Sequence, residues 1–165
     1  MFAKICHILP LGLGAVAVAI QSRATTNIGF YAYASSSSAG IGGLPVQYID
    51  GMAYVVDTAV VTTGENVTFS LVSTTFAATT ADGDKSLLYI PSTSGAVGFT
   101  SAASETKVTT KFGTYGTVVY NYHTGSIETL FYAEPTETTG LWQLTWDSDN
   151  TDAIAVAIKD NAPTS

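Results

Sequence analysis

The sequence predicts an all-β fold: an antiparallel β-sandwich of about 9–10 short strands, held together without disulfides. Three observations carry this. Apolar residues recur at every second position in short runs, and helix-period apolar patterns are nearly absent. Gly, Asp, Asn and Ser punctuate those runs at hairpin spacing. The only cysteine, Cys6, lies in an N-terminal stretch that reads as a removable leader.

In that leader, Met1 to Lys4 give a short basic start and "ICHILPLGLGAVAVA" an apolar core. Ala17-Val18-Ala19 supplies the small-x-small pattern of a signal-peptidase site, so residues 1–19 are expected to be removed, with cleavage after Ala24 as the alternative. The apolar run is too short and too broken by Gly and Pro to span a bilayer about 30 Å thick. Residues 20–165 are then expected to form one domain, exported and extracellular or wall-associated. Cleavage removes Cys6, His7 and Lys4. No thiol and a single histidine, His123, remain.

"IGFYAYA" (Ile28–Ala34) is the first predicted strand, followed by the flexible "SSSSAGIGG" loop (Ser35–Gly43). Pro45–Ile49 and Met52–Asp57 form a hairpin closed by Asp50-Gly51, a dipeptide that favours the two-residue turn with φ > 0 at both positions. That turn sets Ile49 opposite Met52, Tyr48 opposite Ala53, Gln47 opposite Tyr54 and Val46 opposite Val55. Both faces are largely apolar, as in a central pair covered on two sides, with the Ser/Gly loop as a candidate cover.

"NVTFSLV" alternates, with Val67, Phe69 and Leu71 on one face and Asn66, Thr68 and Ser70 on the other. Asn66-Val67-Thr68 is an N-glycosylation sequon whose acceptor falls on the wet face, predicting a glycoprotein. Further strands are expected at Ser86–Ile90, Lys107–Phe112, Gly116–His123, Thr129–Ala133, Leu141–Trp146 and Ala153–Ile158. "TTFAATTADG" and "TSAASET" read as loops or frayed edges.

Composition excludes several functions. Without the leader, five scattered basic residues face 13 acidic ones. Such a surface repels nucleic acid and anionic membranes, because phosphate binding needs clustered Lys and Arg. No G-x-S-x-G elbow is present, one histidine cannot build a zinc centre, and a cysteine nucleophile is absent after cleavage. Glu128, Glu134 and Asp147 are carboxylates with nothing to mark them as a catalytic pair. The chain is therefore expected to lack enzymatic activity and to need no cofactor.

Three candidate sites remain. Asp147, Asp149 and Asp152 in "DSDNTD" offer oxygen ligands for calcium, but the spacing departs from an EF-hand loop and equally suits a sharp turn. Trp142, Leu144 and Trp146 share one strand face and would lie opposite Ile154, Val156 and Ile158 in a hairpin; this favours core packing over a sugar-stacking platform. Tyr120 and Tyr122 share a face beside Asn121, with Tyr115 and His123 on the other. Such rings and amides suit carbohydrate, a ring covering the sugar's apolar face while polar groups bond its hydroxyls.

The segment "GFYAYASSSSAGIGGLPVQYIDGMAYVVD", Gly29 to Asp57, resembles the opening of a family of small secreted proteins from filamentous fungi. The shared features are a Tyr-Ala-Tyr strand, a Gly-Ile-x-Gly-Leu-Pro loop and an Asp-Gly-x-Ala-Tyr hairpin. The resemblance implies a cell-wall, substrate or host-facing setting and brings no catalytic motif. The expectation is a secreted, non-enzymatic surface or extracellular protein, with cell-wall or glycan binding, polysaccharide included, as its most specific reading. The alternatives are a host-facing effector that binds a surface protein and a carbohydrate-active hydrolase.

Overall fold

In the computed structural model, residues 26–36, 39–123 and 125–164 are described. The expected leader, residues 1–19, lies outside them, as do Thr124 and part of the Ser/Gly loop.

The strands are β1 (Tyr31–Ala34), β2 (Gly42–Ile49), β3 (Met52–Val56), β4 (Glu65–Val72) and β5 (Thr75–Thr80). Then come β6 (Lys85–Pro91), β7 (Gly95–Ala96), β8 (Gly98–Thr100), β9 (Lys107–Val108) and β10 (Phe112–Tyr115). The last five are β11 (Val118–His123), β12 (Ser126–Glu128), β13 (Phe131–Pro135), β14 (Leu141–Trp146) and β15 (Ile154–Lys159). All named pairings are antiparallel. Among the described residues no helix is long and apolar enough to cross a membrane.

The sandwich expectation is corrected here. The sheet runs β1-β2-β4-β5-β6-β8-β3-β14-β13-β15, and β15 pairs back onto β1, closing a ten-strand barrel. The closing register sets Tyr31 opposite Lys159 and Ala34 opposite Val156. Closure leaves no free edge along the ring, whereas a sandwich would leave four. The β2–β3 ladder crosses the ring as a chord. β11 and β10 continue the sheet from β15 and return against β5, where the Phe112 N–H donates to the Thr74 carbonyl at 2.8 Å, and β12 pairs with β11.

The Asp50-Gly51 hairpin has the expected register, Val46 to Val55 through Ile49 to Met52. Both turn residues have positive φ, 49° and 83°, the geometry that matches the twist of the flanking strands. Its inner face, Val46, Ala53 and Val55, enters the core. Gln47 on the other face is buried too, with Gly64 packed against its side chain and its Nε2 donating to Asn66 Oδ1 at 2.9 Å. The segment against Gln47 is thus the β3–β4 connection, in place of the expected Ser/Gly loop.

A single core cluster fills the barrel. Phe69 from β4 lies at its centre, stacked on Phe30 at 3.9 Å between ring centroids and 10° between planes. Phe76 meets Phe30 edge-on at 4.9 Å. Such pairs add about 0.5–1.5 kcal/mol beyond the area they bury. β5 corrects the expectation of a loop or frayed edge at "TTFAATTADG": Phe76, Ala78 and Thr80 alternate inward between β4 and β6. The expected Lys107–Phe112 strand divides into β9 and β10, because Lys111 adopts φ 66° and breaks the extended run.

Candidate functional site

Aromatic side chains collect on the outer face of one wall of the barrel. Directly opposed residues in an antiparallel ladder project to the same side, so the registers identify which rings share it. Ala155, Ala157 and Lys159 alternate outward on β15 between the buried Val156 and Ile158. Tyr132 lies opposite Ala155, Tyr33 opposite Ala157, and both Tyr31 and Val118 opposite Lys159. The two alanines are small. They leave a groove of about 550 Å³ between Tyr33 and Tyr132, with Lys159 as the sole charged side chain among its described lining residues. Lys159 Nζ stands 4.6 Å from the Tyr33 ring centroid, a cation–π contact that fixes both groups.

The face continues across β11. Val118, Tyr120 and Tyr122 project to one side, opposite Tyr115, Gly113 and Ile127 respectively. Tyr115 is 81% exposed, Tyr122 48% and Ile127 58%. Tyr115 therefore shares a side with Tyr120 and Tyr122, correcting the expected split. Gly116 and Thr117 form the tight β10–β11 turn, and its register decides the side, which strand parity read across the turn misassigned.

Asn121 does not join this face. It alternates inward, is 0% exposed, and its Nδ2 donates to the Thr110 carbonyl at 2.8 Å. A sugar hydroxyl cannot reach it, so the expected role is withdrawn. His123 ends β11, but its side chain lies outside the described residues. The contributions of Tyr31, Tyr33, Lys159, Ala155 and Ala157 were missed. The usable signal was the Tyr-Ala-Tyr alternation beside the Ala-x-Ala-x-Lys alternation of β15, but their pairing spans nearly the whole chain.

The two tryptophans are packing residues. Trp146 is buried against Phe131, with ring centroids 4.9 Å apart and nearly perpendicular, and Trp142 is half-buried against the core. β14 and β15 do not form the expected hairpin. β13 lies between them, pairing with β14 on one edge and β15 on the other.

The 147–153 connection is organised by turns. Asn150 Oδ1 accepts from the Asp152 N–H at 3.0 Å, and Ser148 Oγ accepts from the Asn150 N–H at 3.2 Å. The Ser148 hydroxyl donates to Glu134 Oε1, and Asn150 Nδ2 donates to Glu134 Oε2 at 3.4 Å. Asp147, Asp149 and Asp152 are exposed, and among the described residues no three His, Cys, Asp or Glu side chains come together to hold a metal ion. Asn66 is exposed on the outer side of β4, opposite in direction to the buried Val67, as a glycan acceptor requires.

A second concavity, about 420 Å³, opens where β2, β4, β5, β6 and β8 end together at one rim of the barrel. Tyr48 and Phe99 form its aromatic wall, and Glu65, Asp82, Asp84 and Lys85 lie around it. The outer tyrosine face carries little charge, whereas this mouth is acidic. No family model, curated protein or solved structure matches the chain.

Proposed function

We propose that the chain is a secreted, non-enzymatic protein of the fungal surface or its surroundings that binds neutral wall polysaccharide along its outer tyrosine face. The supporting observation is contiguity. Tyr33 and Tyr132 flank a groove floored by two alanines, and Tyr120, Tyr122 and Tyr115 extend the same side of the sheet. An extended sugar chain offers alternating apolar ring faces and hydroxyls. Tyrosine meets both, with its ring below and its hydroxyl at the edge. A neutral ligand suits a groove in which the one charge among the described lining residues, Lys159, is already engaged with Tyr33.

The resemblance of Gly29–Asp57 to secreted fungal proteins supports the setting, and the leader-like residues 1–19 support export. The acidic balance of 13 carboxylates against the five basic residues that remain without the leader supports solubility outside the cell.

Pull-down on insoluble β-glucan and chitin tests this reading. The mature protein is expected in the pellet and the Tyr115→Ala/Tyr122→Ala variant largely in the supernatant. Each lost ring should cost about 0.5–1.5 kcal/mol of binding, roughly two- to tenfold in affinity. Both residues are exposed, so thermal stability should change by less than about 0.5 kcal/mol. A wild-type protein that stays in solution with both polysaccharides overturns the proposal.

A further inference from the structure

The acidic mouth of the barrel shares no lining residue with the groove of the tyrosine face. We infer that it binds an organic ammonium ion, a primary amine on an apolar stem, between the Glu65, Asp82 and Asp84 carboxylates and the Tyr48–Phe99 wall.

Five strands bring these groups together. Tyr48 on β2 lies opposite Glu65 on β4, and Val67, two residues on from Glu65, lies opposite Thr80 on β5. The β5–β6 turn supplies Asp82 and Asp84, held by the Asp84 carbonyl accepting from the Thr80 N–H at 3.0 Å. Phe99 arrives on β8. Its ring lies 5.3 Å from that of Tyr48, tilted by 49°. The space they enclose, about 420 Å³, falls within the roughly 300–1,000 Å³ typical of small-ligand sites.

Three features fix the ligand chemistry. Three carboxylates and one lysine line the cavity, so it favours a cation over a neutral or anionic guest. The two rings offer faces that attract cations and surfaces that cover an apolar stem. Thr80 is the independent sign. It is only 9% exposed, it lines this cavity from the inner side of β5, and its hydroxyl has no hydrogen-bond partner among the described residues. Buried hydroxyls are normally satisfied. An ammonium group has three N–H donors, enough to serve Thr80 Oγ1 and two carboxylates at once.

Titration of the mature protein with putrescine, followed by amide NMR at fixed 0.15 M ionic strength, tests the assignment, with 1,4-butanediol as the neutral isostere. Saturable putrescine shifts are expected at Tyr48, Glu65, Thr80 to Lys85 and Phe99, without saturable shifts from butanediol. Asp82→Asn/Asp84→Asn, both on an exposed turn, should weaken putrescine at least tenfold, and Thr80→Val about threefold or more. Equal responses to diamine and diol overturn the inference. So does putrescine binding that the Asp82→Asn/Asp84→Asn variant leaves unchanged, and so does the absence of saturable shifts. Polysaccharide retention is read separately, so the two sites fail or stand independently.

Discussion

The Tyr120 ring occupies the space in which a side chain on Gly113 would stand. A Cβ placed on Gly113 would lie 2.5 Å from Tyr120 Oη and 2.6 Å from Cζ. The two residues are directly opposed across the β10–β11 ladder. An aromatic ring folded over a cross-strand glycine is a known device for fixing a sheet face. Gly113→Ala should therefore lift the Tyr120 ring from the sheet without preventing folding. The expected result is a cooperative thermal transition, shifted Tyr120 ring resonances, and reduced polysaccharide retention. Unchanged ring resonances would show that the ring is not held by this gap.

The core makes a separate demand. Phe69 is stacked on Phe30 and touches the rings of Phe76 and Phe99, with centroids 6.3 Å away in each case. Phe69→Ala should cost about 3–5 kcal/mol of stability, the range for truncating a buried phenylalanine, and Phe69→Leu distinctly less. Urea unfolding midpoints measure the difference. A loss below about 1 kcal/mol would mean that the barrel interior is far more compliant than close packing implies.

At the first hairpin the backbone is the constraint. Nothing lies within 4 Å of a Cβ built on Gly51, so a substitution there meets no neighbour, yet φ is 83°. Gly51→Ala should cost about 1–2 kcal/mol through that left-handed geometry, and Gly51→Asn less, because Asn visits the region more readily. Denaturant midpoints of the two variants give the ordering.

Asp160 follows β15, its N–H donating to the Thr117 carbonyl at 2.9 Å. Burial pushes its carboxyl above the usual carboxylate value, and a backbone hydrogen bond acts in the opposite direction with less effect. The folded state thus holds this proton more tightly than the unfolded chain does. Its contribution is greatest below the unfolded value and declines as pH rises through the raised folded value. Asp160→Asn removes that slope. The stability of the variant relative to wild type should rise with pH across the acid range, as followed by urea unfolding at several pH values.

Local pattern revealed much of this fold. The Asp50-Gly51 register followed from turn geometry, the bounds of β14 from alternation, and the placing of Asn66 from the parity of "NVTFSLV". β5 was missed because its inward positions include Ala78 and Thr80, which look like loop residues until neighbours cover them. Barrel closure was illegible for a different reason. Inward and outward residues alternate identically in a sandwich and a barrel, and only the pairing of Tyr31 with Lys159 separates them. That distant contact also places Tyr33 and Ala157 on the side that Tyr115, Tyr120 and Tyr122 share, which local pattern within β10 and β11 cannot reveal. Asn121 failed as a candidate because strand parity alone cannot say which side is solvent.

Because the ring is joined by its first and last members, no growing N-terminal fragment can finish it. The β1 ribbon keeps one bonding edge unfilled until Ile154–Lys159 has been synthesised and has come back alongside. Contacts so distant in sequence are paid for early in chain entropy and make assembly slow. Under the export proposed above, that delay would keep the chain threadable until it has crossed the translocation pore, with closure following on the far side.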